Sequence, residues 1–307
     1  MKALITGGAG FIGSHIAQRL LEAGCEVVAY DNLSSGKRDN LKGLDVELVE
    51  ADIRDRSRLD VAMAGVDMVF HEAAIVSVPY SVEHPEQTHD VNIAGTLNVL
   101  QAARKAGVRR VVFACSAAVY GEEPSLPKRE VMAPEPVSPY GIEKITGEYY
   151  MQVFSKLYGI EAVSLRYFNV FGPRQDPRSP YSGVISVFVE RALRGERATV
   201  FGDGLQSRDF VYVANVAEAN WLAATKAGIG GRAYNIGCGV RTTLNDLLAM
   251  LGRVLGHPVD ATYAATRTGD IRDSVADIGR AREELGYEPR VKVEEGLERL
   301  LEFVRGR

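Results

Sequence analysis

A doubly wound parallel α/β sheet followed by a smaller mixed α/β lobe is the fold that this sequence predicts. Three observations predict it. Short apolar runs alternate with helical patterns from Lys2 to Arg166. The first run enters a glycine turn that opens directly into a helix. After Tyr167 the regular period is lost in a stretch rich in Pro, Arg and Asp, and shorter strands and helices follow.

The opening unit runs from Lys2 to Asp31. Ala3-Leu4-Ile5 is a strand, the turn carries Gly7, Gly10 and Gly13, and Ile12, Ile16, Leu20 and Leu21 recur at helical spacing until Gly24. Val27 to Tyr30 is a second strand ending on Asp31. Strand, glycine turn, helix, strand and acid in this order form the Rossmann dinucleotide site. The glycines allow a tight turn, close approach to a pyrophosphate and close helix–sheet packing, and free N–H groups at the helix start, around Phe11 and Ile12, suit phosphate. A carboxylate at Asp31 accepts from the adenosine ribose and repels a 2′-phosphate, so NAD is the expected cofactor.

Asn32, Ser34, Ser35 and Gly36 form a polar loop beside the adenosine end. Val46–Val49 is a third strand. Beyond it Asp52 either accepts from the adenine amino group, with Ile53 on the ring, or caps a helix running through Arg58 and Met63. Val66–Phe70 is a fourth strand leading into His71-Glu72-Ala73-Ala74, where Ala73 and Ala74 allow a ligand close; His71 reads as structural. A helix spans Asp90–Ala106, with Asn92 placed to face the cofactor. Arg110–Ala114 is a fifth strand, followed by Ser116. Ser138 caps a helix whose first residue is Pro139 and which runs to Gly159, and Ala162–Arg166 is a sixth strand. Ligands of such sheets lie beyond the carboxyl ends of the strands, where Gly7, Asp31, Asp52, Ala74 and Ser116 all fall.

Residues 1–166 are therefore expected to form an NAD-binding domain and 167–307 mainly a substrate-binding lobe, with a stretch of about 214–255 returning to the first. Beyond Tyr167, helices are expected at Val184–Leu193, Val216–Ala227 and Leu244–Leu255, and strands at Ala198–Phe201, Phe210–Val213 and Ala233–Ile236. A broken helical tail runs from Ala276 to Val304.

The 307 residues suffice for a full core, and 46% apolar with 25% charged residues is ordinary for a soluble globular chain. With 36 basic against 40 acidic residues, the net charge of −4 gives no nucleic-acid footprint. Cys25, Cys115 and Cys238 are far apart, odd in number and without metal spacing, so reduced thiols and no metal are expected. Met1 leads straight into the first strand and no apolar run approaches about 18 residues, so a cytoplasmic protein without a membrane partner is expected.

Tyr140 and Lys144 lie four apart on one helix face. A tyrosine with a pKa of about 10 is a poor base at neutral pH. A neighbouring lysine cation, a helix N-terminus and an oxidised nicotinamide all favour its phenolate. Tyr140 can then take a proton from a sugar hydroxyl as hydride leaves the same carbon, Ser116 orients that hydroxyl, and Lys144 also holds the nicotinamide ribose.

At this point the chain resembles the extended short-chain dehydrogenase/reductase family and, within it, the UDP-sugar 4-epimerases. The matching stretches are Gly7 to Ser14, Asp31 to Gly36, Ser116 to Gly121, Pro139 to Lys144, Arg166 to Arg174, Gly202-Asp203-Gly204, Ser207 to Phe210, Gly269-Asp270 and Ala276 to Ile278. The resemblance implies that Asn169 contacts the sugar diphosphate and that Tyr167 and Phe168 lie beside the nicotinamide. It implies that Val184, Ile185, Val200 and Phe201 hold phosphate and uracil, that Arg208 and Arg267 bind pyrophosphate, and that Asp270 holds the uridine ribose.

Dehydratases of this family carry an Asp-Glu pair, and decarboxylases a Glu, just after the strand-five hydroxyl. Ala117 and Ala118 stand there and cannot move protons. The expected reaction is therefore epimerisation: hydride leaves C4, the 4-keto sugar turns over, and hydride returns to its other face. Ser274 matches the position where a small residue admits N-acetylated sugars, and Gly183 in the loop above the sugar is also small. Val76 and Ala117, in contrast, replace the glycine and serine of enzymes that accept UDP-GlcNAc. The expected substrates are UDP-glucose and UDP-galactose, with UDP-GlcNAc and UDP-GalNAc as further candidates and UDP-glucuronate as the alternative. A dinucleotide-binding sensor or scaffold without turnover would predict a broken triad, and all three residues are present. The resemblance also implies a homodimer joined by a four-helix bundle from helices Asp90–Ala106 and Lys144–Leu157.

Overall fold

A computed structural model describes residues 1–176, 183–266 and 271–306. Seven parallel strands form the central sheet: β1 (Lys2–Thr6), β2 (Glu26–Asp31), β3 (Val46–Glu50), β4 (Met68–His71), β5 (Arg110–Ser116), β6 (Glu161–Tyr167) and β11 (Ala233–Ile236), in the order β11-β6-β5-β4-β1-β2-β3. The strands read as apolar runs because helices cover both faces. After β3 the chain returns to place β4 beside β1, so the strand order reverses between β1 and β4. A sheet of this kind binds its ligand at that crevice.

Five helices accompany these strands. α1 (Phe11–Glu22) packs against α8 (Val213–Thr225) on one face, and α2 (Arg56–Ala62), α5 (Thr96–Ala106) and α6 (Pro139–Tyr158) pack against one another on the other. Their starts and stops are chemically legible. Ser138 Oγ accepts from Gly141 N at 3.1 Å, Pro139 follows at the first helical position, and Gly159 ends α6 with φ +71°. The cap of α2 is Asp55, which accepts from Ser57 N and Arg58 N, and not Asp52. The expected helix Asp90–Ala106 opens with a wide π-turn over Asp90–Gly95, preceded by two short helices, α3 (Val78–Glu83) and α4 (Pro85–His89).

Beyond β6, a short strand β7 (Asn169–Phe171) lies in the stretch expected to be a loop and pairs with β10 (Phe210–Tyr212). The chain passes from β10 directly into α8, three residues earlier than the expected Val216. A second core lies under α7 (Val184–Leu193), β8 (Ala198–Phe201), α9 (Leu244–Leu255) and α10 (Val293–Arg305), and is built from Phe171, Phe188, Phe210, Leu247, Leu251 and Leu297. The stretch 214–255 thus gives α8 and β11 to the sheet, while α9 lies in this second core. β9 (Ser207–Arg208) pairs with β12 (Thr242–Thr243), and β13 (Ala261–Ala264), absent from the sequence expectation, runs parallel to β8. The tail is a π-turn at Ala281–Leu285 followed by α10. Among the described residues no helix is long and apolar enough to cross a membrane.

Candidate active site

The glycine turn sits in the β1/β4 crevice and leaves no spare room. Gly7, at φ +69°, donates to Tyr30 O at 2.8 Å, and a Cβ on it would stand 2.8 Å from Ala73 N. A Cβ on Gly13 would lie 2.2 Å from Gly7 O. Gly10 N donates to Gly7 O at 3.0 Å, which folds the loop over the start of α1. The unpaired N–H groups of the first helical turn, from Phe11 and Ile12 on, face this concavity. Phe11 and Ile12 also pack against the second core, so the first turn of α1 touches both parts of the molecule.

Asp31 is buried at the end of β2, where its two carboxylate oxygens accept from Ala9 N (2.9 Å) and Leu33 N (2.8 Å). A Cβ at Gly36 would stand 2.8 Å from both oxygens, so glycine there keeps the carboxylate approachable. Asn32, Ser34 and Ser35 are exposed on the rim. Asn32 and Arg54 both donate to Asp52, at 2.8 and 2.9 Å, and the Arg54 hydrogen bonds bring the Asp52 carboxyl down to about 2. Ile53 is buried against Gly95. An acid at the strand end, a glycine cradle and a helix N-terminus are the donor and acceptor set that a dinucleotide requires, and NAD fits it.

Across the crevice, β5 ends at Ser116, whose Oγ accepts from Ala118 N at 3.1 Å and lies close enough to Tyr140 to favour its phenolate. Ala117 and Ala118 follow, half-buried. Tyr140 and Lys144 lie on one face of α6, with Lys144 Nζ 5.7 Å from the Tyr140 ring centre. That ammonium donates to Ala114 O at 2.8 Å, and the start of the helix is held by Tyr140 N donating to Ser81 Oγ at 3.1 Å. Burial pushes the Tyr140 phenol above its ordinary range, against the pull of Ser116, and burial lowers Lys144. Desolvation thus opposes the phenolate, which the lysine, the helix N-terminus and an oxidised nicotinamide are expected to favour together.

Asn92, expected to face the cofactor, spends its side chain on the chain itself. Its Oδ1 accepts from Ile75 N at 2.8 Å, and its Nδ2 donates to Ile75 O and to buried Glu143, which also accepts from Thr88. It thereby fixes the loop after Ala73 and Ala74 against α6. His71 is structural: it bonds Thr6 and Thr96, and burial lowers it to about 3. Tyr167 and Phe168 are buried at the end of β6. Two groups here were not found from sequence. Glu72 accepts from the Tyr167 hydroxyl at 2.9 Å, and Asn220, buried on α8, donates to the same hydroxyl at 2.7 Å. The one local signal was an acid set among small residues after β4.

The expected substrate residues lie across the second core and the edge facing it. Val76 is exposed on the loop that Asn92 holds. Asn169 is exposed on β7, Gly183 caps α7, and Val184 is half-buried behind it. Ile185 and Val200 are core residues, while Phe201 stays half-buried. Arg208 donates to the main-chain oxygens of Ser207 and Arg272, and Ser274 N donates to Ser207 O at 3.2 Å, so β9 sets these two side by side. Arg267 and Asp270 lie outside the described residues.

A dinucleotide seat facing a Ser-Tyr-Lys group across one crevice defines a nicotinamide-dependent enzyme. The chain belongs to the NAD dependent epimerase/dehydratase family, whose model matches residues 3–237. It is 42% identical over 305 residues to a putative UDP-glucose 4-epimerase of Methanocaldococcus jannaschii, covering 98% of each chain. The crystal structure of a Thermotoga maritima UDP-glucose 4-epimerase with UDP-glucose matches with a TM-score of 0.95 at 42% identity, over 100% of this chain and 99% of that one. A UDP-N-acetylglucosamine 4-epimerase from Methanobrevibacter ruminantium, in complex with UDP-N-acetylmuramic acid, matches with a TM-score of 0.94 at 39% identity, over 99% and 98%.

Proposed function

We propose that this enzyme inverts C4 of a UDP-hexose, interconverting UDP-glucose and UDP-galactose and accepting the N-acetylated pair UDP-GlcNAc and UDP-GalNAc. The observation that carries the reading is the Ser116–Tyr140–Lys144 group with only Ala117 and Ala118 beside it. Proton transfer at one oxygen is provided for, and the two positions after Ser116, where dehydratases of the family place their acid and base, hold alanine. The names of its relatives support a 4-epimerase, and the half-buried Ser274 supports room for an acetamido group.

When bound, the dinucleotide supplies a hydride acceptor that later acts as donor, and a positive charge near Tyr140. Tyr140 takes the proton of the sugar 4-hydroxyl and returns it once the ketone has turned over. Ser116 donates to that oxygen and keeps it within reach of the phenol. Lys144, anchored on Ala114 O, holds its charge beside the ring and offers its remaining protons to a ribose. Arg208 and Arg267 are assigned to the pyrophosphate, where paired cations suit the charge, and Asp270 to the uridine ribose.

A homodimer is part of the proposal. Ile142, Tyr149, Val153, Leu157 and Tyr158 are exposed on α6, and a groove beside them is lined by Leu97, Tyr150 and Phe154. Such an apolar face suits helix pairing with a second copy.

The test is conversion of UDP-galactose and, separately, of UDP-GalNAc by purified protein without added reductant, with the 4-epimers resolved. Tyr140→Phe should lose at least about a hundredfold in rate, the usual share of general acid–base catalysis. No conversion of either sugar by protein that carries NAD would sink the assignment and turn attention to UDP-glucuronate.

A further inference from the structure

Glu72 has no place in the chemistry above, yet it stands at its centre. Its main chain is fixed in the β1/β4 crevice: Glu72 N donates to Thr6 O at 3.1 Å, and its carbonyl carbon lies 3.0 Å from where a Gly7 Cβ would be. Its carboxylate is held by Tyr167 from β6, which is held in turn by Asn220 from α8. Asn220 is fully buried, and its Oδ1 has no hydrogen-bond partner. Three elements therefore cooperate to aim one acid between the glycine turn and the catalytic helix.

The titratable groups that face it are Lys144 and Tyr140 from α6 and Tyr167 from β6, of which Lys144 carries charge. Among the described residues its carboxylate forms no ion pair within 4 Å. Glu72 is half-buried; withdrawing a carboxylate from water without a paired cation is costly, and a glutamine of the same shape would accept from Tyr167 equally well. A charge kept at that cost suits a cation that arrives with a ligand. The oxidised nicotinamide carries one positive charge that the reduced form lacks.

We propose that Glu72 sets the redox preference of this site, its carboxylate favouring the binding of oxidised over reduced dinucleotide. The inference rests on dinucleotide binding and not on the sugar assignment. Burial raises the Glu72 carboxyl to about 7, against the Tyr167 hydrogen bond and Lys144, so its charge changes within an accessible pH range. It is neutral below that value and anionic above it.

The experiment is an exchange. Purified protein is equilibrated with a fixed mixture of NAD and NADH, separated from free dinucleotide by gel filtration, and the bound forms are quantified by chromatography. Wild type and Glu72→Gln are compared at pH 6 and pH 8.5. Glu72→Gln should lower the bound NAD:NADH ratio at pH 8.5 by about tenfold, the size of one partly screened charge interaction. The wild-type ratio should rise from pH 6 to pH 8.5, and that of the variant should stay flat. A variant with the wild-type ratio, or a wild-type ratio that ignores pH, overturns the proposal. If the variant does not fold, the wild-type pH series decides alone. Sugar turnover is not read, so failure of the UDP-hexose assignment leaves this result interpretable.

Discussion

The sheet and the lobe contain the same kind of contact in opposite settings. In the sheet, Arg166 reaches Glu148 with two nitrogens, at 2.9 and 2.6 Å, and both side chains are at most 4% exposed. In the lobe, Arg253 reaches Glu294 with two nitrogens at 2.6 and 3.1 Å, and both lie open to solvent, at 57% and 42%. One pair is shut away from water, so losing either partner strands a charge; the other stays open to solvent and is screened by it. The difference extends to the backbone. Around the glycine turn single atoms decide what fits, whereas the lobe is joined by two-stranded ladders and surface ion pairs. A tightly packed dinucleotide seat thus faces a lobe held more by contacts at the surface.

Three substitutions would break or sharpen that contrast. Gly13→Ala should act most strongly, since its Cβ would meet Gly7 O at 2.2 Å with backbone on both sides. A loss above about 4 kcal/mol is expected, seen as a collapsed Tm and no retained dinucleotide. An alanine variant that keeps NAD would show that the turn can yield. Glu148→Gln leaves Arg166 buried without its counter-charge and should cost roughly 3–5 kcal/mol in urea unfolding. A cost below about 1 kcal/mol would mean that Tyr120, which accepts from Arg166 at 2.8 Å, suffices. Arg253→Ala should change stability by less than about 1 kcal/mol, and the little it does should vanish in high salt. A larger loss would make the lobe as rigid as the sheet.

Much of the sheet was legible because its signals are local. Gly7, Gly10 and Gly13 lie within seven residues of one another, and Ser138, Pro139, Tyr140 and Lys144 share one helix start. The alternation of apolar runs and helices announced the parallel sheet, with boundaries off by one to three residues. What stayed hidden depends on partners remote in sequence. The Glu72–Tyr167 bond spans 95 positions and the Asn220–Tyr167 bond 53. Asn92 looked free to face a ligand because Glu143, 51 positions on, gives no sign of claiming it. β13 has three exposed residues out of four and pairs across some sixty positions, so it carries no pattern of its own. The π-turn at Asp90–Gly95 keeps a helical sequence and changes only its winding.

The place of β11 in the sheet has a consequence for how this protein is made. β6 is buried almost throughout, yet its outer edge is completed only by Ala233–Ile236, about seventy residues further along the chain. A ribosome adding about 5–20 residues per second leaves that edge bare for several seconds. During that interval the nascent sheet presents an unpaired apolar strand, the surface on which wrong partners are taken up. Shielding during synthesis is therefore needed here, at a defined moment and over a defined strand.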